Sequence, residues 1–250
     1  MSFLLALQFL TIIPIRIKQI NNRAFIFSMA WFPLIGLIIG LLLVSIEYTF
    51  RFFNFPAFTI DVITIISLII ITGGMHLDGL SDTFDALLSH KPKEEMLRIM
   101  RDSHAGVMGI LAIIIVILLK ISFLYALNFS LKPLALILMC TLSRWSIVLS
   151  IYSFPYARTE GKAKAYIEGV NLKILSLATA TAVIITYFTF KINGSIILLL
   201  TGFVVFLLGR SLCRKIKGIT GDTLGATNEI IEVIVLFIIC IFERSFPWII

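Results

Sequence analysis

VMGILAIIIVILLKISFLYAL, residues 107–127, carries a single charge, Lys120, along its whole length. An apolar run close to the roughly 20 residues that a helix needs to cross a bilayer reads as a transmembrane segment. Similar runs occupy 28–46, 59–75, 133–153, 174–190, 195–209 and 229–250, giving about seven spans. Every backbone polar group must find an internal partner in hydrocarbon, and these runs lack the alternation of barrel strands. The expected fold is therefore all-α: a polytopic integral membrane protein, one domain over residues 1–250, with no visible linker or internal repeat. Residues 1–15 are apolar but short and contain Pro14, which favours a half-span or an interfacial helix over a full crossing. No basic residue precedes this stretch and no small-residue cleavage site follows it, so the spans themselves are expected to direct insertion.

Composition agrees. The 250 residues are 59% hydrophobic and 14% charged, against about 25% charged in soluble domains; mean hydropathy is +1.05. The net charge of +7 does not mark a nucleic-acid binder, because the basic residues fall in short breaks between apolar runs. They sort by side. One set of loops holds 15 Lys and Arg, from Arg16, Lys18 and Arg23 through Lys91–Arg101 and Arg158–Lys173 to Arg210–Lys217; the other holds Arg51, Lys132, Lys191 and Arg244. By the positive-inside rule the first set, which includes the long loops 76–106, 154–173 and 210–228, is cytoplasmic, in an inner membrane. Cys140, Cys213 and Cys240 are widely spaced and without a CxxC partner, so neither a disulfide framework nor a zinc site is expected.

The chemistry concentrates in GGMHLDGLSDTFDALLSHKPKEEMLRIMRDSHAGVMG, residues 73–109, which holds six of the 14 acidic residues and all three histidines. Asp78, Asp82 and Asp85 lie at i, i+4 and i+7, within about 60° on one helical face, with Leu77, Leu80, Phe84 and Leu87 opposite. Adjacent carboxylates without interleaved Lys or Arg repel, and a hard divalent cation relieves that repulsion: oxygen-only ligands select Mg²⁺ or Mn²⁺. A solvated amphipathic face is the plainer reading, but other features converge here. Gly73-Gly74 permits a bend or a close backbone approach, Asp102 and Ser103 add oxygens, and Arg98 and Arg101 are placed to clamp a phosphate. His76 is either a base or a hydrogen-bonding group. Beyond this stretch, Arg144 lies inside an apolar run and needs a partner or ligand; Tyr156, Arg158, Glu160 and Lys162 form a polar loop suited to phosphate. Asp222 and Glu229, at i and i+7, could share a face at the start of the last span, among small residues that permit close helix packing. Carboxylate-held Mg²⁺ with arginines nearby points to cleavage or transfer of a phosphodiester or pyrophosphate, a chemistry of positioning and charge neutralisation.

HLDGLSDTFDALL (76–88) followed by RDSHAGVMG (101–109) resembles the signature of the cobalamin synthase family, the adenosylcobinamide-GDP ribazoletransferases. FLTIIPI (9–15), WFPLIGLIIG (31–40), LSRWSIVL and FPYARTEG (within 142–161) and GITGDTLGATNE (218–229) follow in that family's order, nearly end to end. Ala86 and His104 depart from the family's usual glycine and arginine. The resemblance implies that a ribose hydroxyl of α-ribazole, or of its 5′-phosphate, attacks adenosylcobinamide-GDP and expels GMP. It implies Mg²⁺ on Asp78, Asp82 and Asp85, catalytic roles for His76, Asp102 and Arg144, and substrate contacts from Arg98, Arg101, Ser103, Arg158, Asp222 and Glu229. It is compatible with a homo-oligomer and with association with other nucleotide-loop assembly enzymes. Two other classes compete. A CDP-alcohol phosphotransferase would use a similar aspartate cluster, but its DxxDG…G…D…D pattern is not reproduced; a cation transporter would place its acids mid-span.

Overall fold

The computed structural model describes residues 1–17, 21–102, 104–158 and 164–245. Lys18, Ser103, Glu160, Lys162 and the end of the expected last span lie outside these residues. Among the described residues the chain is helical: α1 (Ser2–Leu10), α2 (Asn22–Ser28), a 3-10 turn (Met29–Trp31), α3 (Phe32–Phe52), α4 (Ala57–Thr72), α5 (Met75–Leu88), α6 (Lys93–Ile99), α7 (Val107–Ala126), α8 (Lys132–Ser153), α9 (Lys164–Ile167), α10 (Leu172–Ile216) and α11 (Gly221–Ser245). Five of these stretches are long and apolar enough to cross a membrane, or six if α4 and α5 are counted together as one bent span.

The difference from seven arises mainly because α10, which has a sharp break inside it, is taken as one stretch. The runs 174–190 and 195–209 belong to one 45-residue helical segment, α10. Straight, it would reach about 68 Å, more than twice the ~30 Å hydrocarbon core. It breaks instead at Phe190 and Lys191, whose backbones leave the helical region, and folds back so tightly that a Cβ on Gly194 would lie 2.1 Å from the Thr186 carbonyl oxygen. α1 has nine residues, too few to span, and is fixed by a bond from Trp31 Nε1 to Ser2 Oγ (3.2 Å). α11 begins eight residues before the expected 229, because the polar stretch 221–228 is helical too. Thr220 and Thr223 cap it reciprocally, Thr220 N donating to Thr223 Oγ1 (2.8 Å) and Thr223 N to Thr220 Oγ1 (3.2 Å).

α8 is the centre of the bundle, buried on nearly every face and packed by α3, α10 and α11. Lipid offers no hydrophobic drive for helices to associate, so close backbone packing through small residues matters more than in water. Gly36 and Gly40 of α3 supply it: an added Cβ would sit 2.3 Å from Cys140 O or 2.6 Å from Ile137 Cα. The bundle has two distinct ends. At one, Lys132 of α8 meets Asp61 of α4 (2.7 Å to each carboxylate oxygen), and Glu243 accepts from Asn128 N (3.0 Å). At the other gather the basic loops, with Lys215 Nζ on Leu87 O (3.2 Å) and Arg158 on Asp222.

Candidate active site

Gly73 and Gly74 both adopt left-handed backbone (φ 63° and 68°), a region open to glycine at little cost. The pair ends α4 and turns the chain by 90° into α5. If α4 crosses the membrane, α5 lies along its surface. Leu77 and Leu80 face inward against α7 and α11, as the spacing predicts, while Asp78 is exposed and Asp82 and Asp85 are half-buried. Two glycines fix the approach of α5 to α11. A Cβ on Gly79 would meet Asp222 O at 2.7 Å, and one on Gly225 would meet His76 O at 3.1 Å. This contact brings Asp222 into the acidic field of α5: partial burial, then the charges of Asp78, Asp222 and Asp85, push Asp82 up to about 6.

The loop after α8 is stitched to the loop before α11 by Ala157 N on Ile219 O and Ile219 N on Pro155 O, both 2.9 Å. Arg158 is thereby held against Asp222, Nη2 to Oδ2 at 2.9 Å, and Thr220 Oγ1 donates to the same oxygen (3.2 Å). This ion pair stands between two cavities. The first, about 420 Å³, is walled by Phe9, Phe25 and Phe32 and by His76, Asp78 and Asp222. The second, about 380 Å³, is lined by Lys93, Glu94, Arg98, Arg101 and Arg158. An apolar chamber edged by carboxylates thus adjoins a basic one. His76 is buried, its Nδ1 has no hydrogen-bond partner, and burial draws its imidazole down to about 3. It stays neutral at physiological pH, so it can exchange hydrogen bonds but is a weak base.

Several expected site residues are placed elsewhere. Asp85 accepts from Gly106 N (2.7 Å, Oδ2) and Gly109 N (2.9 Å, Oδ1), so both its oxygens secure the start of α7. Asp102 is exposed and takes the side chain and backbone of His104 (2.6 and 3.1 Å), lining neither cavity. Arg144 is fully buried in α8, where Nη1 donates to Glu232 and to Ser143 Oγ (2.8 Å) while Nε and Nη2 have no hydrogen-bond partner among the described residues. Glu229 is also buried, accepting from Lys120 Nζ at 2.6 Å, away from either cavity. The same lysine bonds Glu232, which also accepts from Asn228 Nδ2 (3.2 Å). Lys120 and Glu232 were not singled out from the sequence, yet a lone lysine in the run 107–127 and an acid one turn beyond Glu229 were signals of this network.

Asp78 and Asp82 thus stand one turn apart with Asp222 nearby, while the oxygens of Asp85 are taken by backbone amides. No three His, Cys, Asp or Glu side chains among the described residues form a metal cage. The donor set suits an ion such as Mg²⁺, which takes one or two carboxylates and completes its shell with water and substrate phosphate.

A family model for cobalamin-5-phosphate synthase matches residues 2–240. Among curated relatives, the adenosylcobinamide-GDP ribazoletransferase of Desulforamulus reducens is 35% identical over 97% of this chain and 97% of its own length. That of Clostridioides difficile is 35% identical over 95% and 96%, and that of Fusobacterium nucleatum 34% identical over 98% and 99%. No solved structure matches. With a membrane bundle, an acidic helix at one end and this end-to-end similarity, the chain belongs to the cobalamin-5-phosphate synthase family.

Proposed function

We propose that this protein is the membrane enzyme that completes the nucleotide loop of cobalamin, joining adenosylcobinamide-GDP to α-ribazole or its 5′-phosphate and releasing GMP. The observation that carries the reading is the pair of cavities, one aromatic and acid-edged, one basic, on either side of Arg158–Asp222. They sit at the end of the bundle where the Lys- and Arg-rich loops gather, so the site faces the cytoplasm of an inner membrane.

In the reaction, the ribose hydroxyl oxygen forms a bond to the phosphorus that carries cobinamide, and the bond from that phosphorus to the oxygen of GMP breaks. Arg98 and Arg101 hold the guanosine phosphate in the basic cavity, where guanidinium forks match phosphate oxygens. Arg158 moves from Asp222 to the pyrophosphate as substrate enters. Asp222 keeps Oδ1 for the proton of the attacking hydroxyl, and neutral His76 orients that hydroxyl by a hydrogen bond. Asp78 and Asp82 would hold Mg²⁺, which supplies charge neutralisation at the pyrophosphate. The test is to incubate detergent-purified protein with adenosylcobinamide-GDP, α-ribazole and Mg²⁺, and again with EDTA. Adenosylcobalamin and GMP in equal amounts, lost with EDTA, are expected; no product with either α-ribazole or its 5′-phosphate would overturn the assignment.

A further inference from the structure

The aromatic cavity is the more selective of the two. We infer that it is the site of the benzimidazole base of α-ribazole, and that Phe9 and Phe25, from the N-terminal helices α1 and α2, set which base is accepted. This rests on the transferase reading above. Three observations carry it.

The first is size. At about 420 Å³ the cavity lies at the small end of ligand sites, which run from about 300 to 1,000 Å³. A benzimidazole nucleoside fits such a space; a corrin ring with its amide arms and adenosyl group is several times larger. The second is lining. Phe9 stacks with Phe32 (centroids 5.8 Å apart, planes 14° apart) and meets Phe25 edge-on (5.7 Å, 89°). Met29, Met75, Ile147, Ile151 and Ile167 fill most of the remaining wall. A neutral bicyclic aromatic gains from such a surface, while a guanosine diphosphate would desolvate its charge there. Phe9 lines the cavity while 43% of its surface stays accessible, as a side chain at an opening does. The third is polarity at one end. Asp78 and Asp222 edge the same cavity, and the buried His76 contributes to its wall. A base docked against the phenylalanines would leave its ribose hydroxyls among these groups and close to the basic cavity that holds the phosphates.

This gives α1 and α2 a purpose. Neither is long enough to cross a bilayer alone, and together they place two aromatic rings over the base.

Initial rates test the inference. In Phe9→Ala and Phe25→Ala the KM for α-ribazole should rise about tenfold or more, since hydrophobic pockets discriminate small losses of contact by such factors, while the KM for adenosylcobinamide-GDP stays within about twofold. Phe9→Leu, which keeps bulk, should show a smaller rise of the same kind. A raised KM for adenosylcobinamide-GDP with that for α-ribazole unchanged, or no change in either, would overturn it. A second measurement does not need turnover. Met75→Cys, made in Cys213→Ser protein, should react with maleimide more slowly when α-ribazole is present and at an unchanged rate with GMP; protection by GMP alone, or by neither, would overturn the inference. If the wild-type protein made no product, the transferase reading would fall, and the labelling would still report whether the cavity takes a benzimidazole riboside.

Discussion

On α5, Asp78 and Asp82 stand one helical turn apart with no lysine or arginine of their own helix between them. On α11, Glu229 and Glu232 also stand one turn apart, but inside the bundle, where Lys120 bonds both and Arg144 bonds Glu232. The two acidic pairs are alike in sequence and opposite in environment. A carboxylate pair inside a membrane bundle persists only when neutralised, because an unpaired charge there costs several kcal/mol or more. A pair at the surface can stay uncompensated at modest cost, about a few tenths of a kcal/mol, and so remains free for a cation or substrate. In this protein compensated charge builds the scaffold, and of the uncompensated pair Asp78 edges the aromatic cavity while Asp82 stands beside it.

Removing one member of the buried set should have the largest effect on the fold. Lys120→Met leaves Glu229 without a basic partner and Glu232 with Arg144 alone, and should cost about 3–5 kcal/mol, read as a loss of detergent-solubilised folded protein and a lower Tm. Adding Glu229→Gln to that variant should recover much of the loss. If Lys120→Met melted like the wild type, the network would not be the scaffold described. Asp82→Asn should do the reverse, lowering kcat by about a hundred- to a thousandfold with Tm unchanged; near wild-type turnover would remove Asp82 from the site. Asp85 distinguishes helix cap from metal ligand. Asp85→Asn keeps an acceptor for only one of the Gly106 and Gly109 amides and turns an NH2 towards the other, so it should cost about 1 kcal/mol of stability and Asp85→Ala somewhat more, while both variants retain most Mg²⁺-dependent turnover. A collapse of Mg²⁺-dependent turnover in Asp85→Asn, as deep as in Asp82→Asn, would return Asp85 to the ligand set.

The smallest effect is with pH. Asp82 is raised from 3.8 to about 6, so between these values the folded protein holds more of the proton than the unfolded chain does. Stability without divalent ions should therefore fall slightly as pH rises from about 4 to 6, an effect reduced by solvent screening at this partly exposed group. Mg²⁺ should raise Tm above pH 6 and lose that effect near pH 5, as protons compete for the carboxylate. Asp82→Asn should abolish both trends, which thermal melts at stepped pH would read.

How far the site was legible followed the distance over which its parts interact. The helical i, i+4, i+7 aspartate stripe, its apolar back and the close packing at Gly225 are local patterns, and the structure has them. The capping contacts of Asp85 could not be read locally, because its partners, the amides of Gly106 and Gly109, lie more than 20 residues away. Arg144 and Glu229 looked like site residues for a sound reason, that intramembrane charges need partners. Inside the bundle Arg144 meets Glu232 and Glu229 meets Lys120.

Sequence alone specified the all-helical membrane class, the segregation of basic loops and the acidic helix, because hydropathy, charge bias and 3.6-residue periodicity act along the chain. It also determined the family, through motifs running nearly end to end. How the runs are arranged depended on packing, with α4 turned into α5 at Gly73-Gly74 and α10 folded at Lys191. The packing also decided which charges neutralise one another, and that α1 and α2 close an aromatic cavity beside Asp78 and Asp222. Those choices depend on pairings between helices far apart in the chain, made where two backbones come close enough for a glycine to be required.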